Sequence, residues 1–123
     1  TKLGRRGHYD FVVLKKEFYN KYKNNIKKLS NETTGINLDL DYPYLDIAIE
    51  FKYITGTFDQ REVEYDLFKL KRASEVENKK LVIFTKRRPT DKKYDHTIEL
   101  LTKIKENEPE VDIEIIKDQT RND

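Results

Sequence analysis

Within the run Asp46-Ile47-Ala48-Ile49-Glu50-Phe51-Lys52, a carboxylate and an ammonium stand two residues apart, next to a small residue. The run reads as a β-strand, and strand side chains alternate between faces. Leu45, Ile47, Ile49, Phe51 and Tyr53 are expected on one face, which belongs in a core. Asp46, Ala48, Glu50 and Lys52 are expected on the other. Hard oxygen donors beside a positive charge on rigid backbone can hold a divalent cation and an anionic substrate together.

A cation held by Glu50 needs a second ligand. Asp46 shares its face but lies roughly 13 Å away along a strand that rises ~3.3 Å per residue. Two carboxylates must bring oxygens within about 2.0–2.6 Å of one ion, so Asp46 is no co-ligand. Asp39 and Asp41 fall equally far off if residues 41–44 make a tight turn. Asp10 differs. If a strand over 8–14 pairs antiparallel with 45–54, Asp10 falls opposite Glu50 in the register that sets Leu14 opposite Asp46. Opposed residues share a face, with Cβ atoms about 4.5–5.5 Å apart. Asp10 and Glu50 then become candidate metal ligands, with Lys52 one same-face step beyond. His8 shares the face of Asp10 and is placed to touch a phosphate or move a proton. An exposed strand residue is its plainer and preferred reading.

These strands need elements to hold them. Lys16 to Leu29 carries Phe18, Tyr22, Ile26 and Leu29 at helical spacing. Ser30 to Tyr44 is turn-rich, with a short strand at Ile36–Leu40. Thr55 to Asp59 is a glycine-containing turn whose Asp59 caps a helix over Gln60–Asn78, with Val63, Leu67, Leu70 and Ser74 on one stripe. Lys80 to Lys86 is an interior strand with an apolar centre. Asp95 is expected to cap a helix reaching Asn107, with Ile98, Leu101 and Ile104 inward, and Val111–Ile116 is a last strand. Strands alternating with helices indicate an α/β domain with a mixed central sheet flanked by helices. The 123 residues suit one domain, with a basic arm at 1–7 and a frayed tail at 117–123.

Net charge is only +2, so a basic surface has to arise by segregation of charge. The absence of cysteine excludes disulfides, thiolate metal sites and cysteine nucleophiles, and suits a reducing, cytoplasmic setting. No apolar run approaches the ~20 residues of a membrane span. Arg5, Arg6, Lys86, Arg87 and Arg88 are the clusters best suited to grip phosphates. A solubilising face is the plain reading of such charge runs.

Asp10 followed by Glu50-Phe51-Lys52 resembles the PD-(D/E)XK nuclease superfamily, the restriction-endonuclease-like fold. The resemblance covers His8 to Ile116: a strand pair carrying Asp and ExK, a helix directly after ExK, then strand, helix and strand. It implies a Mg²⁺-dependent endonuclease, with Mn²⁺ as substitute, that hydrolyses DNA phosphodiester bonds. Asp10 and Glu50 would be its metal ligands and Lys52 its charge stabiliser. Gln60 and Tyr65, early on the following helix, would be accessory groups. DNA is the implied partner, and a homodimer is common in this fold. The alternative is a catalytically silent domain of the same fold that binds nucleic acid or a protein partner. A second rival is an unrelated interaction domain in which ExK is accidental.

Overall fold

The computed structural model describes residues 9–23, 43–56, 58–88 and 92–119. The basic arm, the first helix beyond Lys23, and the strand expected at 36–40 lie outside the described residues. The described elements are β1 (Phe11–Leu14), α1 (Lys16–Tyr22), β2 (Leu45–Thr55), α2 (Gln60–Lys71), β3 (Val76–Lys86), α3 (Tyr94–Glu106) and β4 (Asp112–Ile116). They form an α/β structure around a four-stranded mixed sheet of order β1-β2-β3-β4. β1 runs antiparallel to β2, while β2, β3 and β4 are mutually parallel. Among the described residues no helix is long and apolar enough to cross a membrane.

Local chemistry explains most boundaries. Asp59 has extended backbone and its side chain accepts the Arg61 amide, which caps α2 as its position before the apolar stripe predicts. α2 ends at Lys71, however, well short of the expected Asn78. The Arg72 amide closes the last turn on Phe68 and Leu70, and Ala73 is already buried below. The chain then turns so that Val76 opens β3 beside Leu45. This extends β3 four residues ahead of the expected Lys80, because β2 offers pairing along its whole length. α3 begins one residue ahead of Asp95, which supplies a first-turn carboxylate instead of the cap. Its buried residues are Tyr94, Thr97 and Leu101. The end of the chain expected to fray from residue 117 is tied at Asp118, whose carboxylate accepts the Arg87 amide and whose own amide donates to Tyr94 Oη.

The largest correction concerns the two faces of β2. Ile54, Leu81, Ile83 and Ile113 pack with Val63, Leu67 and Leu70 of α2 and Leu101 of α3 in one cluster, so both helices cover the same side of the sheet. Glu50 pairs with Leu81 and Lys52 with Ile83, so the face expected to lie opposite the core is the helix-covered one. Phe51 and Tyr53, expected in the core, lie on the opposite face and are 47% and 61% exposed. Leu45 stays buried because the β1–β2 register slips between Val13 and Leu14, which turns Leu45 toward Leu14 and Ala48. This orientation has a direct consequence. Ile83→Ala is expected to lower stability in urea unfolding by about 2–5 kcal/mol. Tyr53→Ala should change it by about 0.5 kcal/mol or less. The opposite ranking would mean that the sheet buries its other side.

Candidate active site

β1 and β2 bring the N-terminal acid to the Glu-Phe-Lys tripeptide. The pairs Val13–Ile47, Val12–Ala48 and Phe11–Ile49 end one step short of Asp10 and Glu50, in the register that would set those two opposite each other. This is the expected register at the site, although the slip at Leu14 sets that residue against Leu45 and not Asp46. Asp10 sits just before β1, and its Oδ2 accepts a hydrogen bond of 2.8 Å from the Phe51 amide. That bond fixes the Asp10 carboxylate between Glu50 and Lys52 in sequence. Asp46 turns elsewhere, its backbone and side-chain oxygens both accepting from Asn78 Nδ2.

α2 closes the site from above. Lys52 Nζ lies 3.2 Å from Glu62 Oε2 and 3.4 Å from Asp66 Oδ2. Lys69 reaches the other oxygen of Asp66 at 3.8 Å. An open cleft lined by Lys52, Asp59, Arg61, Glu62, Tyr65 and Asp66 runs beside this cluster.

The charges are not indifferent to one another. Burial pushes the Glu50 carboxyl above its ordinary value, and the Asp10 charge adds to that; Lys69 opposes, Asp66 adds, and Lys52 opposes. Burial works to lower the Lys52 value, but the Glu62 hydrogen bond and the charges of Asp66 and Glu62 outweigh it and raise the ammonium above its ordinary value. Glu50 is therefore a carboxylate short of positive charge, while Lys52 is firmly cationic. Groups perturbed by burial and by specific partners concentrate where chemistry is done.

The chain matches no family model, no curated protein and no solved structure. The candidate site stands on its geometry.

The remaining expected residues scatter. His8, Arg5 and Arg6 lie outside the described residues. Gln60 opens α2 but bonds outward to Glu64, 2.9 Å from its Oε1. Tyr65 is exposed and lines the cleft, with Lys69 Nζ 5.5 Å from its ring centroid. The three cations at the end of β3 are divided. Lys86 is exposed beside Thr55. Arg87 lies over the Tyr94 ring and pairs with Asp95 at 3.2 Å, so it braces α3. Arg88 rests on Gly56, whose φ of 78° suits glycine, and a Cβ there would come within 2.8 Å of Arg88 Cζ. Arg88 also donates from Nε to Thr55 Oγ1 at 3.4 Å, at the end of β2.

Glu62 and Asp66 were not among the expected site residues. Their signal is spacing: they stand four apart, on the flank of the Val63, Leu67, Leu70 stripe, so both point down the same edge of α2 toward the strand.

Proposed function

We propose that this domain is a divalent-cation-dependent nuclease that hydrolyses DNA phosphodiester bonds, built on a restriction-endonuclease-like sheet. One observation carries the reading. Glu50 and Lys52 share the helix-covered side of the sheet, while Asp10, exposed and hydrogen-bonded to the Phe51 amide, bears its charge on Glu50. A solvated strand face gives no reason to hold Glu50 half-buried under the charge of a second acid. An antiparallel strand pair followed by helix, parallel strand, helix and parallel strand supports the same reading.

The donors suit Mg²⁺ or Mn²⁺. Both groups are hard carboxylates, and a cation between them would offset the burial and the Asp10 charge that together raise Glu50. Among the described residues no three His, Asp or Glu side chains group closely enough to enclose a metal ion. Asp10 and Glu50 would hold such an ion, leaving positions for water and substrate oxygens. Mg²⁺ commonly binds this way, keeping several waters. Such an ion, when bound, acidifies its water and neutralises charge on a phosphoryl oxygen.

The protein's own groups supply the rest. The Phe51 amide orients Asp10. Glu50 is fixed by β2 between β1 and β3. Lys52 presents a positive charge where negative charge gathers on the phosphate in the transition state. Arg88 and Tyr65, at the margins, are placed to meet the neighbouring backbone and bases.

The purified chain is expected to nick supercoiled plasmid with Mg²⁺ or Mn²⁺ and to stop on addition of chelator. Salt-dependent DNA binding without cleavage under any divalent ion would assign the silent role instead. Neither binding nor cleavage would leave Glu50-Phe51-Lys52 an accident of a charge-rich chain.

A further inference from the structure

We propose that Asp66 is the positioning residue of the site, holding the Lys52 ammonium over the Glu50 face, and that Glu62 occupies the place at Lys52 which a substrate phosphate takes. The proposal rests on the nuclease reading and adds a division of labour within it.

The two carboxylates hold the same ammonium at nearly equal distances, 3.2 Å from Glu62 and 3.4 Å from Asp66. Their surroundings differ sharply. The Glu62 side chain is 62% exposed and that of Asp66 16%. An exposed ion pair contributes little and is readily exchanged for another anion. Asp66 is not free to leave. It stands on α2 between Val63, Leu67 and Leu70, all buried against the sheet, and Lys69 holds its second oxygen at 3.8 Å.

A lysine needs such an anchor. Its four-carbon stem is flexible and rich in rotamers, and its ammonium has no geometric preference of its own. With Asp66 on one side, the ammonium is confined near the strand. Its remaining donors face Glu62 and the open cleft, which is where an incoming phosphodiester arrives. The phosphate exchanges with Glu62, a weak and solvated partner, while Asp66 keeps the charge aligned with Glu50. The anchor and the placeholder thus act on different parameters, Asp66 on the chemical step and Glu62 on binding.

The test uses the full chain with a DNA duplex and Mg²⁺, measuring kcat and KM separately and melting each variant. Asp66→Asn is expected to lower kcat by about 10- to 100-fold, as loss of an orienting partner does, with KM little changed. Glu62→Gln is expected to lower KM, with a smaller effect on kcat. A merely structural Asp66 would lower the melting temperature without separating the two parameters. If Asp66→Asn does not fold, Asp66→Glu keeps the charge but shifts the carboxylate by one methylene, and kcat should still fall. Wild-type kcat in whichever Asp66 variant folds, or equal kcat losses at Asp66 and Glu62, overturns the division of labour alone. A wild-type chain that fails to cut DNA with any divalent ion overturns the nuclease reading and takes this role with it.

Discussion

Glu50→Gln is expected to abolish Mg²⁺-dependent nicking and, in the same protein, to raise the melting temperature at neutral pH. The activity loss should exceed about 100-fold, because even partners one shell removed from a metal account for 10- to 100-fold. The stability gain follows from the raised carboxyl. Glu50 titrates above its ordinary 4.5 in the folded protein, through burial first and then the Asp10 charge. Between 4.5 and the folded value, the native state holds a proton that the unfolded chain has released. Stability therefore falls as pH rises through that window, and ionised Glu50 remains a destabilising charge above it. Glutamine keeps the shape and removes the charge. The gain is a few degrees at most, since Glu50 is only half-buried and water screens part of the repulsion. Melting curves across pH check it. The variant should melt higher at pH 7, and the difference should vanish once the pH drops below 4.5. A variant that melts lower at pH 7 would show Glu50 to be a stabilising acid.

How much of this was legible before the coordinates depends on which interaction sets each feature. The strand over Leu45–Thr55 and the capped helix from Gln60 are written in local chemistry: alternating β-branched residues, a glycine turn, an aspartate before an apolar stripe. From Ile47 onward, alternation also separates the two faces of β2 correctly. It does not say which face the helices cover, and hydrophobicity points the wrong way, because Phe51 and Tyr53 are the larger apolar groups. That choice belongs to the topology. Successive parallel crossovers through α2 and α3 put both helices on one side, and Glu50 and Lys52 are on that side. The end of α2 is misread for a related reason. Ser74 continues the helical spacing, but Ala73 and Val76 are claimed by a buried cluster beside Leu45, and a tertiary contact outweighs a local pattern. Asp10 was reachable because strand pairing has a simple parity. The slip at Leu14 was not, since nothing local in 45–47 marks it. Glu62 and Asp66 carried a spacing signal that a chain with 39% charged residues conceals.

Lys52→Met should reproduce the catalytic defect of Glu50→Gln and reverse its effect on stability. Methionine fills a similar volume without a charge, so the phosphate loses its counterion while the strand keeps its packing. Removing one positioned charge from a transition state lowers rates by about 10²–10³-fold. The stability sign is opposite because Lys52 is the cation among these acids. Its folded value is raised above 10.5, by Glu62 and Asp66 against the pull of burial. A base raised in the fold contributes stability that is fully present below 10.5 and is lost as pH rises through the folded value. At pH 7 the variant forfeits that contribution, about 1 kcal/mol for a pair open to solvent on one side. It also leaves Asp66 facing Glu50 with Lys69 as its partner at 3.8 Å. One condition should restore parity with the wild type: strong alkali, where Lys52 itself discharges. Urea unfolding at neutral pH is the decisive measurement. Two inactive variants on one strand, one more stable and one less stable than the wild type, would identify Glu50 as a charge kept at the expense of the fold and Lys52 as the charge that offsets it. If both variants move stability in the same direction, the cluster is an ordinary ion-pair network and the argument for a site loses its electrostatic half.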